Sequence, residues 1–155
     1  MGGSNTTGSD LIPGQLGLQY ISDVSSRGPT ANGRRKPEIV APGKYILSVG
    51  ARPDRVRECD EGIPSAVGRG GKLLSVRGTY MATPVVSGTS AQLYQYFEEC
   101  WYPMGGHMSG DTMTPTGSLV KAVLLNGVQT NMIGVDNGSS GITPVSPYDN
   151  NIGFV

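Results

Sequence analysis

The stretch VRGTYMATPVVSGTSAQL, residues 76–93, combines residue types whose spacing suits chemistry at the start of a helix. Gly78 permits a sharp turn, and Pro84 is tolerated only near a helix start. The pattern therefore predicts a helix that begins at Tyr80 or Met81. The start of a helix carries unpaired N–H groups and the positive end of the helix dipole, so it can stabilise a developing oxyanion.

The overall charge argues against two classes of partner. Lysine plus arginine and aspartate plus glutamate number 12 each, so no net charge attracts nucleic acid or an acidic membrane surface. The basic run at residues 34–36 is short and follows Asn32-Gly33. We interpret it as a solvated turn, with a phosphate or heparin patch as the alternative. We predict neither a nucleic-acid nor a membrane partner.

Composition indicates a single domain with many tight turns. The chain has 155 residues, enough for a hydrophobic core, and includes 24 glycines and 11 prolines. No apolar run reaches transmembrane length. A basic start followed by an apolar segment is absent, so no secretory signal peptide is visible.

Strand-like runs are frequent in the first half of the chain. Residues 1–16 are rich in Gly, Ser and Thr, so we expect irregular structure there, and residues 17–24 hold at most one short strand. The runs EIV and YILSV predict two further strands, because the prolines and glycines around them forbid a helix. Residues 52–71 predict a polar surface excursion, and the run KLLSV predicts the strand that follows it.

Two helices follow these strands. In the first, one face has apolar residues at helical spacing, namely Val86, Leu93, Phe97 and Cys100. Residues 101–114 predict a loop. The second helix is expected at about 116–126, with Leu119, Ala122 and Val123 on one face. Strands that alternate with helices indicate an α/β layer architecture.

Several motifs of the chain resemble the subtilisin-like serine proteases. SSRGPT, KPEIVAPG, YILSV and GTYMATPVVSGTSAQL occur in the order and approximate spacing of that family, and the similarity covers about residues 24–128. The segment GT-x-MATP is among the family's most discriminating short motifs. The segment TPTGSLVKAVLLNGV resembles the helix that follows this motif in the family. The sequence around SSRGPT is most similar to that of the oxidatively stable alkaline proteases. The resemblance implies an α/β fold with a mostly parallel sheet and flanking helices.

The family motif Gly-Thr-Ser-Met-Ala-Thr-Pro implies that Tyr80 occupies the position of the nucleophilic serine. The residues that match around it are Gly78, Thr79, Met81, Ala82, Thr83 and Pro84. A phenol cannot replace the serine hydroxyl, because its oxygen lies several ångströms further from the backbone and its ring fills part of the site. Loss of the nucleophile leaves only the small rate supplied by the oxyanion hole and by binding.

The resemblance also requires an aspartate, a histidine and an oxyanion-hole asparagine upstream of SSRGPT, and only a short stretch precedes that motif here. His107 follows the motif instead, so we interpret it as a loop residue without a chemical role. Asp10 and Asp23 match no triad position. Ser90, in a second GTSA segment, lies about 15 Å further along the helix, and we interpret it as a packing residue.

Cofactor and redox signals are weak. Met81 follows the nucleophile position, where oxidation of its sulfur hampers catalysis in the family. Cys59 and Cys100 have no pairing signature, and we favour two unpaired thiols over one disulfide. Calcium is implied by the resemblance alone, because no acidic loop has the required spacing. We predict no cofactor and no metal ligand.

Three hypotheses remain open at this point. In the first, the chain is the C-terminal half of a serine endopeptidase domain, with Tyr80 a true substitution or a sequencing error. In the second, it is a pseudoprotease that binds a peptide or protein partner. In the third, it is a degenerate fragment. Residues 1–23 are then an irregular lead-in and residues 24–155 an incomplete peptidase domain. Its partners are a polypeptide substrate or peptide ligand and the missing N-terminal half, and the resemblance favours a secreted or endomembrane location.

Overall fold

The computed structural model describes residues 2–5, 17–49, 63–64, 72–107, 110, 112–128, 132–137 and 140–144. Eight strands and two helices occur within these described residues. Their bounds are β1 Gly2–Ser4, β2 Tyr20–Ile21, β3 Val40–Pro42, β4 Ile46–Val49, β5 Ile63–Pro64, β6 Lys72–Val76, α1 Thr79–Glu98, α2 Gly117–Gly127, β7 Gly134–Asp136 and β8 Ile142–Pro144.

A five-stranded sheet has the order β3-β1-β2-β7-β8. β1 pairs in parallel with β3, with Gly2 opposite Val40, and β2 pairs in parallel with β7, with Tyr20 opposite Gly134. The pairs β1–β2 and β7–β8 are antiparallel, which the sequence pattern did not indicate. Helix α1 packs across β1 and β3, and α2 contacts α1. The predicted α/β fold with parallel strands and flanking helices is confirmed.

A second, antiparallel sheet has the order β4-β6-β5 and leads the chain into α1. Ile46 lies opposite Val76 and Val49 lies opposite Leu73. The strands predicted from YILSV and KLLSV are therefore present. Of the predicted surface excursion at residues 52–71, the structure describes residues 63–64, which form β5, and the rest lies outside the described residues.

Two apolar clusters fix the sheet and the helices. The first joins Ile21, Val40, Met132 and Val135 within the central sheet. The second joins Ala41 of β3 to Ala82 and Val86 of α1, with Ile39 and Leu124 packed against it. Of the predicted apolar stripe of α1, Val86 therefore packs against the sheet, where burial of aliphatic side chains removes apolar surface from water.

Strand β1 lies in a segment for which we expected irregular structure. Gly2 and Gly3 have low strand propensity, so the sequence carries no local signal for a strand there. The fold nevertheless requires a residue without a side chain at position 2, where a Cβ would lie 2.6 Å from Cγ of Pro37 and 2.7 Å from Cγ1 of Val40. Close approach to neighbouring strands, rather than propensity, places this glycine in the sheet.

The starts of both helices agree with the sequence within one residue, whereas α1 ends at Glu98 and Cys100, which was expected on its apolar face, lies beyond its end. α1 begins at Thr79, one residue before the predicted start, and α2 spans Gly117–Gly127 instead of about 116–126. Thr116 caps α2, because its side-chain oxygen accepts a hydrogen bond from the Leu119 N–H at 3.2 Å. The described residues between the two helices form no regular element, as predicted.

An apolar groove of about 370 Å³ lies between β3, α1 and α2. Its walls are largely aliphatic and include Ile39, Val40, Val85, Val86, Leu93, Val123 and Leu124. Val85 keeps 47% of its surface exposed, and Val49 on the outer strand β4 keeps 83%. The described residues thus leave part of the packing surface of the helices and strands open to solvent.

Two glycine substitutions are expected to change stability in opposite directions. In Gly43→Ala the new Cβ would lie 2.9 Å from the carbonyl oxygen of Gly78 and 3.2 Å from Cα of Gly3, so we expect a loss of about 1–3 kcal/mol. In Gly88→Ala, within α1, the new Cβ meets no atom within 4 Å, and we expect a gain of up to about 1 kcal/mol. Urea unfolding of both variants measures the difference, and shifts of the same sign would contradict the packing described.

Candidate functional site

The start of α1 is held by backbone hydrogen bonds from two directions. Gly78 is the N-cap residue, and no side chain caps this helix. The Gly78 N–H donates to the carbonyl of Gly43 at 2.7 Å, and the Met81 N–H donates to the carbonyl of Gly78 at 3.0 Å. Because a helix leaves its first N–H groups without intrahelical partners, this end of α1 suits a negatively charged group.

Tyr80 stands in the first turn of α1 and folds back over Gly78. Its hydroxyl donates to the carbonyl of Arg77 at 2.9 Å, and 63% of its surface is exposed. A Cβ on Gly78 would overlap the Tyr80 ring. The ring therefore covers the N-cap residue instead of extending away from it, and the phenolic oxygen lies over residue 77 rather than over the first N–H groups of the helix.

The neighbouring motif residues build the helix. Thr83 Oγ1 donates to the carbonyl of Thr79 at 2.9 Å, so its hydroxyl is engaged within the helix. Ala82 is fully buried against the sheet, and Met81 is half-buried. Pro84 is the sixth residue of α1 and has no N–H group, so the carbonyl of Tyr80 lacks its usual backbone donor four residues later. The sequence-predicted residues 78–84 therefore form one continuous structural unit at the helix start.

A buried ionic cluster lies beside this unit, and sequence reasoning did not identify it. Lys44 Nζ is 2.7 Å from Asp136 Oδ2 and 3.0 Å from Asp23 Oδ1. Asn5 Nδ2 donates to Asp136 Oδ2 at 3.1 Å, and an Arg77 nitrogen lies 3.5 Å from Asp23 Oδ2. Only 3% of the Lys44 side chain is exposed. Two family motifs flank the lysine, because KPEIVAPG ends one residue before it and YILSV begins one residue after it.

Comparison with known sequences places the chain in a family. The sequence profile of the Subtilase family matches residues 17–142, which is most of the chain. The chain belongs to the subtilase family. This finding confirms the family resemblance stated from the motifs.

Three relatives illustrate how far the similarity extends. The chain is 41% identical over 109 residues to the serine protease/ABC transporter B family protein tagD and 41% identical over 111 residues to tagB, both of Dictyostelium discoideum. These matches cover 70% of this chain and 6% of each relative. The chain is also 36% identical over 75 residues to the serine protease AprX of Bacillus subtilis, covering 48% of this chain and 16% of AprX. The chain thus spans a small part of the length of these relatives.

The histidine of this subtilase chain lies far from Tyr80. α1 contains 20 residues, so its two ends are about 30 Å apart. Tyr80 is at the first end, whereas His107 lies beyond the second end, with its ring 6.1 Å from the ring of Trp101. The geometry therefore agrees with the prediction that His107 does not act as a base at residue 80.

The other candidate residues lie apart from residue 80 or in the ionic cluster. Ser90 Oγ donates to the carbonyl of Val86 at 2.7 Å, so its hydroxyl is engaged within the helix. Cys100 is a buried free thiol, while Cys59 and Asp10 lie outside the described residues. Asp23, which matches no triad position, belongs to the ionic cluster.

The part of the chain that the structure describes has neither a metal-binding cluster nor a membrane-spanning helix. No group of three or more His, Cys, Asp or Glu side chains is arranged to hold a metal ion there. Neither helix in that part is long and apolar enough to cross a membrane.

Ionisation of the cluster follows from burial and pairing together. Burial raises the pKa of Asp23. The hydrogen bond and charge of Lys44 outweigh burial, with smaller effects from Ser22 and Arg77, so this pKa lies below its ordinary value. Burial lowers the pKa of Lys44, but its bonds to Asp136 and Asp23 outweigh burial and leave this pKa above its ordinary value. Both groups are therefore charged near neutral pH.

Acid is expected to destabilise the subtilase chain through this cluster. A carboxyl whose folded pKa is depressed contributes stability above its ordinary value of 3.8, and that stability is lost as the pH falls through the folded pKa. The contribution of Lys44 is complete below its ordinary pKa of 10.5 and is lost only as the pH rises through the raised folded value. Urea unfolding between pH 2 and pH 7 should show that the free energy of unfolding falls with pH. In Asp23→Asn the slope of this free energy against pH should be smaller. An unchanged slope in that variant would contradict the assignment.

Proposed function

We propose that the chain is the C-terminal part of a subtilisin-like serine endopeptidase domain and that, as given, it does not hydrolyse peptide bonds. The observation that carries the proposal is Tyr80 at the start of α1, within the family's GT-x-MATP motif, with its hydroxyl bonded to the carbonyl of Arg77. A nucleophile needs a base within hydrogen-bond reach. His107 lies about one helix length away, so this chain offers residue 80 no histidine base.

The helix start retains the features that serve an oxyanion. Its first N–H groups and the dipole of a 20-residue helix favour a negative charge at residues 79 and 80. In a complete domain, we propose that residue 80 is the nucleophile position, that the Asp, His and oxyanion Asn come from the missing N-terminal half, and that the substrate is a polypeptide.

A non-catalytic binding role is the second candidate function. The apolar groove between β3, α1 and α2 could accept aliphatic side chains of a peptide or protein partner, because its walls are aliphatic and open to solvent. A pseudoprotease of this kind keeps the fold without needing a nucleophile.

Turnover of a casein substrate tests the proposed function. We expect no hydrolysis by the chain that exceeds the background of a buffer control, whereas an active subtilisin-like protease measured in parallel should hydrolyse casein. Turnover that a serine-protease inhibitor abolishes would refute the assignment of an inactive chain.

The gene itself distinguishes the two candidate functions. Resequencing codon 80 and reading the genomic sequence upstream would reveal a serine codon together with the Asp, His and Asn segments if the parent is an ordinary endopeptidase. A tyrosine codon without those segments would favour the binding role.

A further inference from the structure

Two sets of hydrogen bonds connect the same three parts of the chain. In the first set, the Gly43 N–H donates to the carbonyl of Ser4 at 2.9 Å, and the Gly78 N–H donates to the carbonyl of Gly43 at 2.7 Å. These two bonds join the end of β1 to the turn between β3 and β4, and that turn to the start of α1. The position of the helix start therefore depends on where Gly43 is held.

The second set runs through side chains, each one residue away from the first. Asn5 follows Ser4, Lys44 follows Gly43, and Arg77 precedes Gly78. Asn5 and Lys44 meet at Asp136, and Lys44 and Arg77 meet at Asp23. Lys44 is the member common to both halves of this side-chain connection, and it is bonded covalently to Gly43.

The turn that carries Lys44 has little freedom to move. A Cβ on Gly43 would lie 2.9 Å from the carbonyl oxygen of Gly78 and 3.5 Å from Cβ of Ala82, so backbone and helix are in close contact. Tyr45 adopts a φ of 60°, which is unfavourable for a bulky residue and persists only where the surroundings enforce it. The Tyr45 ring also lies 5.2 Å from Lys44 Nζ, within cation–π range.

We propose that Lys44 is a positioning residue for the start of α1: its two carboxylate partners fix the Gly43 carbonyl and, through Asp23 and Arg77, the approach to Gly78. This role deepens the proposed function. It rests on that function for one point, namely that residue 80 is the functional position. Lys44 does not touch a substrate in this account. It acts by setting the place and direction of the helix start, on which alignment of any group at residue 80 depends.

Exchange of the Gly78 amide proton measures this role directly, because that proton is in the bond to Gly43. The measurement compares hydrogen exchange at Gly78 with exchange at Ile133, whose N–H donates to the carbonyl of Gln19 at 3.0 Å just before strands β7 and β2. The variants are Lys44→Met, Asp23→Asn and Arg77→Gln in the full chain. Arg77 is 60% exposed in its side chain, so its replacement leaves the core intact and keeps the test valid if Lys44→Met fails to fold.

We expect the Gly78 amide to exchange about three- to tenfold faster in each folded variant, relative to Ile133, as for the loss of one ordinary hydrogen bond. Arg77→Lys, which keeps the charge, should restore part of the protection. Lys121→Gln is the matched control, because it breaks an exposed ion pair to Glu38 at 2.7 Å on α2 and should leave the ratio unchanged. The proposal would be overturned if Arg77→Gln and Asp23→Asn left the ratio of Gly78 exchange to Ile133 exchange unchanged. That includes the case in which both amides exchange equally faster.

This readout is independent of catalysis. A faster Gly78 exchange in the variants would support the role of Lys44 even if residue 80 proved not to be the nucleophile position. Conversely, unchanged Gly78 exchange in the variants would refute the role of Lys44, and the proposed function would stand if a Tyr80→Ser chain completed with the upstream Asp, His and Asn segments were active.

Discussion

Tyr80→Ser in a chain completed with upstream Asp, His and Asn segments is expected to hydrolyse casein. Those segments can be taken from the residues that precede the matched region in tagD, which is 41% identical to this chain over 109 residues. We expect a rate roughly 10⁴-fold or more above that of the completed chain with Tyr80, the size of effect that a member of a Ser-His-Asp site has. Initial rates of casein hydrolysis compare the two proteins.

The same substitution in the short chain provides the control. Tyr80→Ser without the upstream segments should stay at background, because a serine hydroxyl without a base is a poor nucleophile at neutral pH. Activity of the short variant would mean that its own residues contain a base, and replacement of His107 would then identify or exclude that residue.

Lys44→Met is expected to cause the largest loss of stability among single substitutions in the ionic cluster. It leaves Asp136 buried without its ammonium partner, and the loss of one partner of a buried ion pair costs about 3–5 kcal/mol. Such a loss is a large share of the stability of a typical domain. Urea unfolding at pH 7 measures the difference in free energy of unfolding.

An exposed ion pair supplies the comparison for Lys44. Lys121 pairs with Glu38 and is 54% exposed in its side chain, so Lys121→Met should cost no more than about 1 kcal/mol. If both substitutions had the same small effect, Lys44 would not be the buried centre of the cluster.

The helices were the part of this molecule that sequence alone predicted well, whereas the assignment of residue 80 as the site stays a prediction. Apolar spacing located the buried face of α1, and Gly78 with Pro84 located its start to within one residue. The motif around Tyr80 located the candidate site, because its residues are consecutive. Local patterns of this kind suffice when the interacting residues are close in sequence.

Strand β1 and the ionic cluster could not be predicted, for two physical reasons. Gly2 lies in a strand where Pro37 and Val40 approach too closely for a side chain, which is a tertiary requirement without local sequence signal. Asp23, Lys44 and Asp136 come from separate segments, and isolated charges in a sequence ordinarily indicate solvent exposure. Only the fold brings them together.

We propose residue 80 as the nucleophile position of the subtilase domain. Treatment of the completed Tyr80→Ser chain with a fluorophosphonate, followed by mass spectrometry of its peptides, tests this claim most directly. The account predicts a single covalent adduct on residue 80 and none in the completed chain with Tyr80. A folded Tyr80→Ser chain that carries no adduct, or an adduct on another serine such as Ser90, would contradict it.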